Sequence, residues 1–179
     1  MTTPDKDAPE EICWQGRFIT AKQRGRWEYV ARARNIRAAV ILPLDGDDVV
    51  LVEQYRVPLG CNCLELPAGL IGDDDADEVD DPLAAAKREL LEETGYRAQE
   101  WTNLGEYFSS PGMVSESFTL LRALGLERVG DGGGVEGENI TVHRVKLAEI
   151  RQFIARKRSS GVAIDVKLLI LLADDIMAA

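Results

Sequence analysis

Only 6% of the 179 residues are aromatic, and the chain holds one histidine, His143, and three cysteines, Cys13, Cys61 and Cys63. An odd cysteine count without a pair of CxxC motifs gives neither a zinc framework nor a disulfide framework, and points to reduced thiols in a cytoplasm. No apolar run reaches the roughly 18–20 residues that cross a bilayer, so no membrane partner is expected. The opening MTTPDKDAPEE lacks the basic end and apolar middle of a secretory leader. Positive charge is also scarce, with 21 Lys and Arg against 31 Asp and Glu for a net charge of −10. That balance repels a nucleic-acid backbone and argues against a general nucleic-acid binder. A small phosphorylated ligand stays open, because a bound divalent cation can invert the local field.

What is present is an ordinary globular balance, 45% hydrophobic and 29% charged, in a chain long enough to enclose a substantial core. Residues 1 to about 10 read as a disordered tail. A strand-like pattern starts at Phe18, turns at Gly25, and continues over residues 27–34, where Trp27, Tyr29, Ala31 and Ala33 alternate with mostly polar positions. Ala38–Leu44 and Val49–Tyr55, separated by Asp45-Gly46-Asp47-Asp48, predict a hairpin. A short strand over Cys63–Leu66 is stopped by Pro67, and further strands are expected near 101–108, 117–124 and 139–145. Pro82 after Asp81, with Gly95 beyond the last turn, bounds a helix over 82–94. Two more helices are expected at about 147–157 and 163–177. Strands interleaved with a few helices predict an α/β fold, a mixed sheet with helices packed on its faces.

Two segments stand out in composition. Gly72–Asp81 is a dense acidic run, read as a solvated connection, and Gly130–Glu138 is a glycine-rich loop with carboxylates at Glu136 and Glu138. The chemically informative segment is Arg88-Glu89-Leu90-Leu91-Glu92-Glu93-Thr94-Gly95-Tyr96. On a helix, Glu89 and Glu93 project from one face, with Glu92 beside them. Three carboxylates so close repel one another, and a solvated face gains more from alternating them with Lys or Arg. A hard divalent cation lying against that face would offset the repulsion, since Mg²⁺ and Mn²⁺ take oxygen ligands. Arg88, four residues before Glu92, is in place to orient it.

With Leu66-Pro67-Ala68-Gly69 upstream, this segment resembles the signature of Nudix hydrolases, which cleave nucleoside diphosphates linked to another group using divalent metal ions held on this helix. The second half of the signature is complete. In the first half, ten residues separate Gly69 from Asp80, where the family places five before a glutamate, so the acidic run carries about five extra residues. Val52-Glu53-Gln54-Tyr55-Arg56, Glu65-Leu66-Pro67-Ala68-Gly69, and Pro111 sixteen residues after Gly95 are most similar to the ADP-ribose pyrophosphatase branch.

The resemblance implies a Nudix α/β/α sandwich over residues 36–179, preceded by a tail and N-terminal β dimerisation strands over 1–35. It implies a homodimer with N-terminal strand exchange, and hydrolysis of ADP-ribose to AMP and ribose 5-phosphate with Mg²⁺ or Mn²⁺. Another nucleoside diphosphate sugar, GDP-mannose or a UDP-sugar, is the alternative substrate, and a nonhydrolytic ADP-ribose sensor the alternative role. By similarity the Ala68 carbonyl, Glu89 and Glu93 bind metal, with Glu92 acting directly or through water. Glu136 is the first choice for catalytic base and Glu138 for a further metal ligand, and the two are interchangeable at this level. Glu116 is a rival base, a ribose-binding residue or an exposed loop acid. Arg56 holds the diphosphate or forms a surface ion pair. Trp27 and Glu28 help hold adenine across a subunit boundary, or Trp27 is an interface or core residue. His143 and the Cys61–Cys63 pair read as structural.

Overall fold

The computed structural model describes residues 4–33, 36–72 and 81–178, so Asp80, Arg34 and the centre of the acidic run lie outside the described residues. Three strands, β1 (Glu10–Gln15), β2 (Ile19–Arg24) and β3 (Trp27–Arg32), make an antiparallel sheet in that order. β1 begins where the expected tail ends and covers residues for which no element was expected. All six of its residues are exposed, so no burial pattern announced it. It is held by its ladder to β2 and by Glu10, whose carboxylate pairs with Lys22 and Arg24 and accepts from the Tyr29 hydroxyl. Along β3 the expected alternation survives only at the far end, where Ala31 is buried, as is Ala33 just beyond it. Trp27, at the strand's first position, is 56% exposed. The small sheet joins the rest through Val30, whose N–H donates to the Met113 carbonyl and whose carbonyl accepts from Ser115 N–H.

The remaining elements are β4 (Arg37–Asp45), β5 (Asp48–Arg56), β6 (Cys61–Glu65), β7 (Ala68–Ile71), α1 (Pro82–Thr94), β8 (Tyr96–Phe108), β9 (Ser117–Arg128), β10 (Thr141–Lys146), α2 (Ile150–Ser159), β11 (Ala163–Ile164) and α3 (Ala173–Ala178). The predicted hairpin forms, with Gly46 at φ 60°, but only Leu44–Val49 and Asp45–Asp48 pair across it. Beyond them the strands part. β4 pairs with β7 and, in parallel, with β9, which in turn pairs with β8; β5 pairs with β6 and β10. Pro67 ends one ladder, as expected, yet the chain resumes at once as β7. The Pro67 carbonyl accepts the Ile41 N–H at 2.9 Å, so the segment steps from the β5–β6 branch to the β4 branch within three residues.

Side-chain alternation on the central strands feeds two separate cores. Ala39 and Ile41 of β4 pack with Leu90 and Ala86 of α1, whereas Val40 and Leu42 pack with Ile150 and Ile154 of α2 and with Leu168. A mixed sheet with helical layers on both faces is therefore an α/β/α sandwich. One buried charge sits on the α2 side: Glu53 accepts hydrogen bonds from Lys157 and Asn62 and pairs with His143, which gives the single histidine the structural use expected of it.

The helix expected over 163–177 is corrected. Ala163 and Ile164 instead pair in parallel with Cys63 and Leu64 of β6. Asp165 then accepts the Lys167 N–H at 2.7 Å and starts a 3-10 helix over Val166–Leu172 before α3. An unbroken aliphatic run carries no helical period of its own. Here Leu168 enters the core and Leu171 follows it three residues later, the spacing of a 3-10 turn.

Candidate active site

α1 has the ends its sequence announces. The Asp81 side chain accepts the Leu83 N–H at 3.0 Å ahead of Pro82, and Gly95 adopts φ 74° with its N–H bonded to the Leu91 carbonyl. Between them, Glu89 and Glu93 lie one turn apart and both face a cavity of about 810 Å³. Glu92 is exposed on the helix flank and does not line it. Arg88, expected to orient Glu92, pairs with Glu89 at 3.0 Å and reaches the Leu70 carbonyl.

The opposite wall comes from the Leu-Pro-Ala-Gly turn. Ala68 N–H donates to the Glu93 carboxylate at 3.0 Å. A Cβ on Gly69 would come within 2.0 Å of the Glu89 side chain, so only glycine leaves that carboxylate its place. Glu93 is 6% exposed, and burial first, then the like charges of Glu89 and Glu138, lifts its carboxyl from 4.5 to about 8. Ala68 N–H and Arg56 oppose that rise without cancelling it.

Alternation on β5 turns Gln54 and Arg56 toward the same cavity and Glu53 away from it. Arg56 Nε and Nη2 donate to the two carboxylate oxygens of Glu65 at 2.6 and 2.8 Å. Arg56 thus occupies the cavity wall and has an ion-pair partner as well. Cys63 lies beside them, its thiol pushed up to about 12 chiefly by burial, which suits packing and not nucleophilic chemistry.

The glycine-rich loop has a use that its composition did not reveal. Gly133 and Gly134 N–H groups donate to the Glu93 and Glu92 carbonyls at 2.9 and 3.0 Å, and Gly95 accepts from Val129 and Gly130. A Cβ on Gly132 would strike the Thr94 carbonyl carbon at 2.4 Å. The first half of the loop is therefore docked on the C-terminal end of α1, supplying donors to its otherwise orphaned carbonyls. Its second half brings Glu138 to the cavity, where the carboxylate accepts the Val135 N–H at 2.9 Å and the backbone carbonyl accepts from Gln54 Nε2 at 3.3 Å. Glu136 is exposed and outside the lining.

Glu116 does line the cavity, with its carboxylate accepting from Arg32 Nε at 2.6 Å. Pro111 is exposed in the turn that precedes it; Ser109, two residues earlier, is the member of that segment on the wall. Trp27 and Glu28 stand exposed on the N-terminal sheet, away from this cavity. Sequence reasoning missed Arg32, Gln54 and Lys167. The two-residue period of β5 could have yielded Gln54 once Arg56 was chosen, but nothing local marks the other two.

Among the described residues, no three His, Cys, Asp or Glu side chains converge tightly enough to hold a metal ion as they stand. Glu93, Glu89 and Glu138 share one cavity and each is engaged elsewhere: with the Ala68 N–H, Arg88 and the Val135 N–H respectively. The cavity therefore pairs a cluster of oxygen donors with the guanidinium of Arg56, the combination a bound cation and a phosphorylated ligand would use.

The chain is 36% identical to the methanol dehydrogenase activator of Bacillus methanolicus over 67% of this chain and 63% of that protein. It is 33% identical to a GDP-mannose pyrophosphatase of Cronobacter sakazakii over 77% and 71%. It is 36% identical to an ADP-ribose pyrophosphatase of Bacillus subtilis over 44% and 40%. The chain thus spans less than two thirds of the first and third of these relatives. A solved structure described as an ADP compounds hydrolase superposes with a TM-score of 0.68 at 23% identity, covering 95% of this chain and 92% of that one, and shows the shared fold. Residues 34–162 match the NUDIX domain, and the chain belongs to that family of pyrophosphohydrolases.

Proposed function

We propose that this chain hydrolyses ADP-ribose to AMP and ribose 5-phosphate in a reaction that requires Mg²⁺ or Mn²⁺. The observation that carries the reading is the buried carboxylate of Glu93, set beside Glu89 and Glu138 and facing Arg56 across one cavity. A divalent cation fits these residues, because they are hard oxygen donors, and burial together with the charges of Glu89 and Glu138 already disfavours the ionised state of Glu93. Glu89, Glu93 and the Ala68 carbonyl would hold it, with Glu92 acting from the flank and the loop glutamate that is not the base as a further ligand. When bound, the cation neutralises diphosphate charge and lowers the pKa of an attacking water.

Arg56 positions the diphosphate by charge-assisted hydrogen bonds. One glutamate of the loop takes the proton from water as its oxygen bonds to phosphorus and the bridging P–O bond breaks. Glu138, on the cavity wall, is better placed for that than the exposed Glu136, which would need the second half of the loop to move. Ser109 and Glu116 stand where a ribose could be held, Pro111 shaping the turn beyond them. Exposed Ile12, Trp14 and Trp27 on the N-terminal sheet, with Phe18 in its β1–β2 turn, support a dimer in which strands exchange and Trp27 and Glu28 reach the partner's site. A monomer in sedimentation equilibrium at micromolar concentration would remove that part of the reading.

GDP-mannose is the second substrate, favoured by the relatives that bear its name. Product analysis over ADP-ribose, GDP-mannose and a UDP-sugar with Mg²⁺ separates the two. ADP-ribose is expected to have a kcat/KM at least about tenfold above the others, a margin of about 1.4 kcal/mol. Activity confined to a non-adenine sugar nucleotide would overturn the choice, and tight ADP-ribose binding without AMP release would support the sensor instead.

A further inference from the structure

Glu65 opens the stretch Glu65-Leu66-Pro67-Ala68-Gly69, yet nothing so far gives it a role. Its place in the sheet does. In the β5–β6 ladder Glu65 sits opposite Val52 and Cys61 opposite Arg56, so alternation puts Glu65 and Arg56 on the same face, four pairs apart along the ladder. The long Arg56 side chain reaches back along that face and meets both oxygens of Glu65 at 2.6 and 2.8 Å. Glu65 is 7% exposed, while the Arg56 side chain stays 42% exposed to the cavity. One end of the pair is fixed in the sheet and the other remains available.

A guanidinium has two flat edges that can grip an oxyanion bidentately. Here the edge formed by Nε and Nη2 is taken, which leaves the edge formed by Nη1 and Nη2. We propose that Glu65 is a positioning residue: it clamps Arg56 side-on, so that the free edge of the guanidinium is presented to the diphosphate. This rests on the reading of Arg56 given above. The clamp has a second consequence. Glu89 and Glu93 line the same cavity, and Arg56 released from Glu65 would find a carboxylate there, closing the space the substrate needs. Holding the guanidinium in advance also spares the cost of ordering a flexible side chain when the substrate binds.

The test uses the full chain with Mg²⁺ and ADP-ribose, comparing Glu65→Gln, Arg56→Ala and the double variant. Gln keeps the shape but can accept at only one oxygen, so KM is expected to rise about tenfold with kcat changed less than about threefold. Arg56→Ala is expected to raise KM further, and Glu65→Gln to add nothing in the Arg56→Ala background. An equal penalty from Glu65→Gln in both backgrounds would show that Glu65 serves the fold alone and would overturn the proposal. So would an unchanged KM in Glu65→Gln while Arg56→Ala raises it. If Arg56→Ala leaves KM unchanged, the assignment of the diphosphate to Arg56 fails first and takes the proposal with it. Should Glu65→Gln fail to fold, Glu65→Asp keeps the charge, shortens the reach and is read by the same comparison.

Discussion

Glu93→Gln is expected to lower the turnover of ADP-ribose by about 10³-fold, or about 4 kcal/mol of transition-state stabilisation, with the fold intact. Glutamine occupies nearly the same volume, and its amide oxygen can still accept the Ala68 N–H that the carboxylate accepts now. What it removes is the charge that opposes a cation, at a side chain only 6% exposed where water cannot substitute for it. Glu92→Gln, altering an exposed carboxylate on the helix flank, is expected to cost much less. Single-turnover rates with Mg²⁺, together with far-UV circular dichroism, check both. Near-wild-type activity in Glu93→Gln would remove the helix face from the mechanism.

In the absence of divalent cations, the same substitution is expected to raise thermal stability, increasingly so as pH rises. Burial and the neighbouring Glu89 and Glu138 lift the folded-state carboxyl of Glu93 to about 8 from an ordinary 4.5. Between those two values the folded chain keeps a proton that the unfolded chain has already released. Raising the pH therefore favours unfolding across that window, and the trend levels off above about 8. Glutamine does not titrate, so the melting temperature of Glu93→Gln minus that of the wild type isolates this one group from every other carboxylate. With EDTA present, the difference is expected to grow from pH 5 to pH 8, reaching about 5 °C or more. Saturating Mg²⁺ takes the place of the proton and should remove most of the trend. A difference that stays flat with pH would mean that Glu93 is ionised in the folded, cation-free chain.

The features legible in the sequence were those with local causes. α1 runs from Pro82 to Thr94 as predicted because its cap, first-turn proline and terminal glycine are all contiguous with it. The β4–β5 turn is local in the same way. The strands that failed to show were those with no period of burial, such as exposed β1, or those too short to show one, such as β11. Within the site, Glu89 and Glu93 follow from helical spacing alone. The rest is convergence between distant segments. Arg56 and Glu65 meet because two antiparallel strands share a face, and Arg32 meets Glu116 across 84 residues of chain. In the sequence the glycines at 130–134 read only as part of a glycine-rich loop. Most of them serve close docking on the α1 terminus, a contact visible only once Gly95 and Gly132 are side by side.

Mn²⁺ binding followed by electron paramagnetic resonance, with a noncleavable ADP-ribose analogue present, tests most directly whether oxygen donors on one face of α1 gather a cation at the diphosphate. The expected result is saturable uptake by the wild-type chain and a loss of affinity of at least about tenfold in each of Glu89→Gln and Glu93→Gln, approaching complete loss when the two are combined. Wild-type Mn²⁺ affinity in the double variant would contradict it.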